Sequence, residues 1–60
     1  MELKTGEHYR ERATGRKYVL VNITEHAGEV WLAFENLATK RKYTQTQAKF
    51  LEDFEQVLAQ

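Results

Sequence analysis

The stretch Lys17–Leu37, KYVLVNITEHAGEVWLAFENL, decides the fold. Residues 17–24 and 30–37 form two runs that are rich in β-branched and aromatic side chains, and their lengths are typical of strands. Gly28 lies between the runs, in a connection short enough for a hairpin. The stretch therefore predicts two neighbouring antiparallel strands at the centre of a sheet.

Shorter runs on both sides extend this sheet. Residues 8–12 precede a turn at Gly15, and residues 41–44 follow the connection Ala38–Lys40. Because connections this short join strands that lie side by side, the runs predict an antiparallel meander of about four strands.

The hydrophobic period changes near the C-terminus from that of a strand to that of a helix. The apolar residues at helical spacing are Phe50, Leu51, Phe54, Val57 and Leu58. Thr44 and Gln47 match a capping box, with Thr44 as the N-cap. We therefore expect a helix over about residues 45–58 that covers one face of the sheet.

The predicted fold class is mainly β with one helix (α+β), in a single domain over residues 1–60. It is a small SH3-like antiparallel meander or barrel of about four strands, capped by the C-terminal helix. The sequence leaves open whether the barrel is closed or the sheet is open.

Side-chain alternation in the two central strands predicts the core. One face of these strands presents Val19, Val21, Ile23, Val30, Leu32 and Phe34. We expect these residues to pack against the apolar side of the helix, which Phe50, Leu51, Phe54 and Leu58 form.

The opposite face of the same strands is also apolar, with Tyr18, Leu20, Trp31 and Ala33. This second patch has two interpretations. It forms the far wall of a small barrel, or it is a surface for a partner or a second copy of the chain. Trp31 is the best candidate for a binding hot spot, although a buried strand tryptophan is the simpler interpretation.

Two hexamers are near copies, ATGRKY at Ala13–Tyr18 and ATKRKY at Ala38–Tyr43. In a meander the first and third connections lie at the same end of the sheet, whereas Glu25 and Glu29 flank the middle connection at the other end. Six cations should therefore gather at one end, which we call the basic pole. Its residues are Arg12, Arg16, Lys17, Lys40, Arg41 and Lys42.

The basic pole has three interpretations. It docks an acidic patch of a protein, where rim charges steer association. It contacts nucleic acid, with Tyr9, Tyr18 and Tyr43 stacking on bases. Finally, its cations keep the hairpin ends soluble and discourage pairing between exposed strand edges.

Composition limits the other possibilities. The 60 residues contain no Cys, and basic and acidic residues balance at nine each. A chain this small without disulfides slightly favours self-association over a monomer, and its zero net charge argues against strong non-specific binding to nucleic acid.

No apolar run is long enough to span a membrane, and no signal region opens the sequence. We therefore expect a cytoplasmic protein.

The sequence contains no recognisable catalytic constellation. Cys and Ser are both absent, and His8 and His26 stand in or beside different connections, without an activating motif. The glycine spacing matches neither a phosphate loop nor a dinucleotide fingerprint. We therefore predict no enzymatic activity, no catalytic residues, no cofactor and no metal.

Several segments together resemble short uncharacterised domains of phages, prophages and bacteria, of the SH3-like small-barrel type. The segments that carry the resemblance are Gly6–Tyr9, Thr14–Arg16, the Val-rich second run, Val30–Glu35, the basic turn after it, and Phe50-Leu51 with Phe54. The resemblance implies a small accessory or regulatory protein, encoded by a phage, that acts by binding. Families of this kind include inhibitors of host or defence proteins.

These observations predict a small non-catalytic binding module, a protein–protein adaptor or inhibitor. Its binding surface would be Tyr18, Leu20, Trp31 and Ala33, with the basic pole steering the partner. The alternatives are a nucleic-acid-binding module that uses the basic pole, and a structural subunit of a homo-oligomer.

Overall fold

The computed structural model describes residues 3–57. They form five antiparallel strands in one sheet, in the order β4-β3-β2-β1-β5, and one helix. The predicted fold class, mainly β with one helix, is therefore confirmed, and the sheet is open, with β4 and β5 at its two edges. The elements are β1 (His8–Glu11), β2 (Lys17–His26), β3 (Glu29–Asn36), β4 (Lys42–Thr46), α1 (Gln47–Asp53) and β5 (Phe54–Gln56).

The central hairpin, between β2 and β3, has a two-residue loop. His26 pairs with Glu29, and the loop residues Ala27 and Gly28 have φ angles of +54° and +82°. Positive φ at both central positions is the requirement of a type I′ turn, whose twist matches that of the flanking strands. The predicted hairpin at Gly28 is confirmed.

The other two hairpin turns, Glu11–Arg16 and Asn36–Arg41, have the same hydrogen bonds. The residue that opens each turn donates its N–H to the carbonyl of the closing arginine, at 2.8 Å in both turns. The N–H of the fifth residue, Gly15 or Lys40, donates back to the carbonyl of the first, at 2.7 and 2.8 Å. The near-identical hexamers therefore encode one turn twice.

A β-bulge in β2 changes which residues of this strand face the core. Leu20 pairs with Phe34, but the next paired residue is Asn22, opposite Ala33, so Val21 is the extra residue. Leu20 is fully buried, whereas Val21 is 39% exposed. The predicted inward face of β2 was therefore wrong up to the bulge; beyond it, Ile23 lies opposite Leu32.

The individual core predictions have different outcomes. In β2, Val19 is half-buried, and Val21 and Ile23 are exposed, so Ile23 was also wrongly assigned to the core. In β3 the prediction was right, because Leu32 and Phe34 are buried and Val30 packs against the core. In the helical segment Phe50 and Phe54 are buried and Leu51 is exposed; Leu58 lies outside the described residues.

The helix is shorter than predicted. Its N-cap is Thr46, whose hydroxyl accepts the N–H of Lys49 at 3.4 Å, rather than Thr44. It ends at Asp53 because Phe54 adopts an extended conformation and starts β5, which pairs with β1 at the edge of the sheet. The predicted end at residue 58 lies outside the described residues.

The core is an aromatic cluster between α1 and the sheet. The helix leaves the β4 edge and returns the chain to the β1 edge, so it crosses one face of the sheet. Phe50 and Phe54 stack at 4.4 Å between ring centroids, and both lie close to Phe34. Each fully buried phenylalanine contributes about 1.5–3 kcal/mol of hydrophobic stabilisation. The buried hydrophobic residues are Tyr9, Tyr18, Leu20, Leu32, Phe34, Phe50 and Phe54.

In the part of the chain that the structure describes, we find no helix with both the length and the apolar character that crossing a membrane requires.

Candidate binding site

The two matched turns lie side by side at one end of the sheet. Tyr18 pairs with Asn36, and the N–H of Leu37 donates to the carbonyl of Lys17 at 3.1 Å. These contacts connect the start of β2 directly to the end of β3. The cations of the two hexamers therefore surround the same end of the molecule.

A cleft of about 550 Å³ opens between the two turns. Arg16 and Lys17 line one side, and residues 36–39 line the other. Asn36 is buried, and its Oδ1 accepts the N–H groups of Ala38 and Thr39 at 2.8 and 2.9 Å. These two bonds hold the second wall in place, so the cleft is a preformed feature of the turn.

The described lining of the cleft is cationic and contains no carboxylate. Leu37 and Ala38 add an apolar part to the wall, and Leu37 is half-buried. A ligand in this cleft would therefore meet positive charge together with an apolar contact.

Arg12 differs from the other residues of the basic pole because it is already engaged. Its guanidinium contacts the Glu55 carboxylate at 3.3 Å and donates to the carbonyl of Phe54 at 3.2 Å. Arg10 pairs with the same carboxylate. The hydrogen bond and positive charge of Arg10 lower the pKa of Glu55.

The remaining five cations of the basic pole have no carboxylate within ion-pair distance among residues 3–57. They are Arg16, Lys17, Lys40, Arg41 and Lys42, and all five are exposed. The other end of the sheet contains Glu25 and Glu29, on the two sides of the central hairpin. Glu35, the third acidic residue of this hairpin, lies beside the basic pole instead, because it is opposite Lys42 in the register of β3 and β4.

The predicted apolar binding surface is not formed as one surface. Tyr18 is 5% exposed and Leu20 is 0% exposed, so both belong to the core, and their inclusion was wrong. Trp31 and Ala33 alternate with the core residues Leu32 and Phe34, so they lie on the opposite face, where both are half-buried. Only these two residues remain as candidates for a binding surface.

The sheet face that contains Trp31 and Ala33 is here called the outer face, because α1 covers the other one. Trp31 lies between Thr24 of β2 and Thr46 of β4 in the cross-strand register. In the next row, Ala33 lies between Asn22 and Thr44. The centre of the outer face is therefore uncharged.

The tyrosines do not form the predicted platform for bases. Tyr9 is 1% exposed and Tyr18 is 5% exposed, so neither ring can stack on a ligand. Tyr43 is 42% exposed and stacks on Phe34 at 5.9 Å between centroids. One tyrosine of the predicted three is therefore available beside the basic pole.

The two histidines lie on different strands, His8 at the start of β1 and His26 at the end of β2. Among residues 3–57, no group of three or more His, Cys, Asp or Glu side chains is arranged to hold a metal ion.

Sequence reasoning missed the cleft, although its signal was present. An asparagine directly before a tight turn commonly accepts N–H groups of the next residues in an Asx-turn, and Asn36 does so here. That pattern would have indicated an ordered wall rather than a loose connection.

Comparisons with protein-family models, with curated proteins and with solved structures found no match to this chain.

Proposed function

We propose that this protein is a small non-catalytic binding module whose basic pole docks an acidic surface of a partner protein. One observation carries the proposal. Two turns of the same geometry hold Arg16 and Arg41 at equivalent positions, and Arg16 lines the cleft between the turns, whose described lining contains no carboxylate. Cations that have no ion-pair partner within the described part of the chain, next to a preformed cleft, are available for an anionic partner.

A protein partner fits these observations better than nucleic acid does. Sequence-tolerant binding of single strands combines a basic groove with several stacking aromatic rings, and Tyr9 and Tyr18 are buried. The net charge is zero, which weakens long-range attraction to a phosphate backbone. Leu37 and Ala38 in the cleft wall suit the apolar side chain of an acidic peptide segment.

Exposed cations such as Arg16 and Arg41 affect mainly the rate of association and its dependence on salt. At physiological ionic strength the Debye length is about 8 Å, so only charges close to the partner contribute strongly. The affinity must therefore also come from contacts inside the cleft.

The proposal extends to fold family and biological role. The strand order β4-β3-β2-β1-β5, a bulge in the long β2 and a helix between β4 and β5 support an SH3-like small barrel. The proposed role, a cytoplasmic adaptor or inhibitor encoded by a phage, rests on the resemblance described above.

The test compares two fluorescent probes by anisotropy, an Asp/Glu-rich peptide that contains leucine and a single-stranded oligonucleotide of similar length. We expect saturable binding of the peptide that weakens as salt is added. Arg16→Glu and Arg41→Glu should each slow association and so weaken binding about tenfold at low salt.

Lys4→Glu is the matched control, because it makes the same change in net charge in the segment before β1, at the other end of that strand from the turn at Gly15. Binding of the oligonucleotide without binding of the peptide would replace the proposal with a nucleic-acid function. If neither probe binds, or if all three variants behave alike, the proposal is wrong.

A further inference from the structure

The outer face combines an uncharged centre with two charged ends of opposite sign. Glu29 lies on this face, two positions before Trp31 in β3. Lys42 lies on the same face at the other end, two positions before Thr44 in β4, and Lys17 is two positions before Val19 in β2. Charge therefore changes from negative to positive along the face.

The centre of the outer face is partly apolar, and the helix packs on the other side. Trp31 and Ala33 are half-buried by their neighbours, Val21 is 39% exposed, and Thr44 is exposed. Among the described residues the one helix, α1, packs on the opposite face, where Phe50 meets Leu32 and Phe34 in the core. A second layer on the outer face would bury apolar surface and desolvate few charged groups.

The charge pattern selects the orientation of a second copy. A two-fold axis that lies in the plane of the interface, perpendicular to the strands and passing over Ala33, would bring Glu29 of each copy to the end of the other copy that holds Lys17 and Lys42. A parallel arrangement would place like charges together. Glu35 also lies on this face at the basic end, opposite Lys42 in the cross-strand register, so it offsets one of the two lysine charges there and leaves that end with a net positive charge.

We propose that the outer face is a self-association surface whose occupant is a second copy of this chain, packed antiparallel across the two-fold axis. The proposal does not rest on the partner-binding role of the basic pole. It also gives a reason for an apolar outer face in a small protein whose residues 3–57 contain seven buried hydrophobic side chains.

The size of the face limits the strength of the dimer. The longest extent of the molecule is 33 Å. Three strands spaced at about 4.8 Å give a face roughly 14 Å wide, so each copy would bury on the order of 450 Å². The total is below the roughly 1,600 Å² of a standard interface, which predicts a weak, rapidly reversible dimer.

The test is sedimentation velocity of the full chain over a wide concentration range. We expect a monomer–dimer equilibrium that shifts toward monomer as salt is added. Thr44→Arg places a like charge near the two-fold axis at an exposed position, so it should abolish the dimer. Circular dichroism of this variant checks that the fold is retained.

A charge exchange tests the antiparallel orientation. Glu29→Lys alone should weaken the dimer about tenfold, and Lys42→Glu alone should do the same. The double variant E29K/K42E restores opposite charges across the axis and should recover most of the affinity. Glu52→Lys makes the same charge change on the exposed side of α1 and should leave the dimer unaffected.

A chain that stays monomeric at every concentration would overturn the proposal. So would a dimer that tolerates Thr44→Arg, or a double variant that is weaker than both single variants. Any of these results leaves the partner proposal intact, because that proposal is tested with Arg16 and Arg41.

Discussion

Gly15 and Lys40 occupy the same position in two turns of the same geometry, with φ angles of +77° and +66°. In both turns the threonine one residue earlier accepts the N–H of the following arginine on its hydroxyl, at 3.2 and 3.3 Å. The near-repeat in the sequence therefore has a structural cause in turn chemistry. The cations are an additional property of these turns and do not determine their shape.

Replacement of Lys40 by glycine should stabilise the protein. The left-handed conformation costs a residue with a Cβ about 1–2 kcal/mol, and glycine is free of this cost. Part of the gain is offset because glycine also makes the unfolded chain more flexible, so we expect about 0.5–1 kcal/mol in the free energy of unfolding. Chemical denaturation measures the change.

Gly15→Ala makes the reverse change at the equivalent position of the first turn, because it adds a Cβ where Lys40→Gly removes one. A Cβ at Gly15 would meet no atom within 4 Å, so only the backbone conformation opposes it. We expect a loss of about 1 kcal/mol. A change of the same sign in the two variants would show that the two turns are not equivalent in solution.

Ala27→Asn should stabilise the central hairpin. Ala27 has a φ of +54° in a type I′ turn, and asparagine tolerates this conformation better than alanine does. We expect a gain of about 0.5–1 kcal/mol, because only part of the left-handed cost is removed. A thermal melt records it, and a fall in Tm would contradict the turn assignment. Ala13→Asn, in an exposed position of another turn, is the control.

Tyr9→Phe should raise stability and remove a pH dependence. The Tyr9 hydroxyl is buried and has no hydrogen-bond partner among residues 3–57. An unsatisfied buried group costs about 1–3 kcal/mol, so its removal should add about 1 kcal/mol. Tyr43→Phe, at an exposed ring, should change little.

Burial, and then the charge of Glu7, raise the pKa of Tyr9 above 10.0. The folded state therefore holds this proton more tightly than the unfolded state does. The contribution of this proton to the free energy of unfolding is fully present below pH 10 and is lost as the pH rises through the folded pKa of Tyr9. This alkaline decrease should be smaller in Tyr9→Phe than in the wild type, and an unchanged profile would contradict the burial of the hydroxyl.

Glu55 should contribute an acid dependence of the opposite sign. Arg10 lowers its pKa below 4.5, so the folded state releases this proton more readily than the unfolded state does. The stabilisation is present above pH 4.5 and is lost as the pH falls through the folded pKa. Denaturation midpoints measured across this window should fall less in Glu55→Gln than in the wild type. Glu52→Gln is the control, and an identical wild-type and Glu55→Gln profile would contradict the ion pair.

The hairpins could be predicted from the sequence because their signals are local. Gly15 and Gly28 mark turns that need positive φ, and the runs on both sides have strand composition. The inward face of β2 could not be predicted. Both of its faces are apolar, so alternation alone does not distinguish them, and the bulge after Leu20 changes the alternation partway along the strand.

The last strand could not be predicted because its conformation depends on a distant partner. Phe54–Gln56 has no alternation of its own, and Phe50 and Phe54 show a helical spacing. Pairing with β1 overrides that spacing at Phe54.

Contacts with distant residues also explain why the predicted binding surface does not form as one surface. Tyr18 faces inward because Phe54 and Phe34 pack edge-to-face against it.

The pairing of β1 with β5 has a consequence for the order of folding. Arg10 and Glu55 are 45 positions apart, whereas the three hairpins join neighbouring segments. Contacts between distant segments require the costliest loop closure, so we expect the hairpins to form early and β5 to dock last. The amide of Val57, bonded to the carbonyl of His8, should then exchange with solvent sooner than amides between β2 and β3.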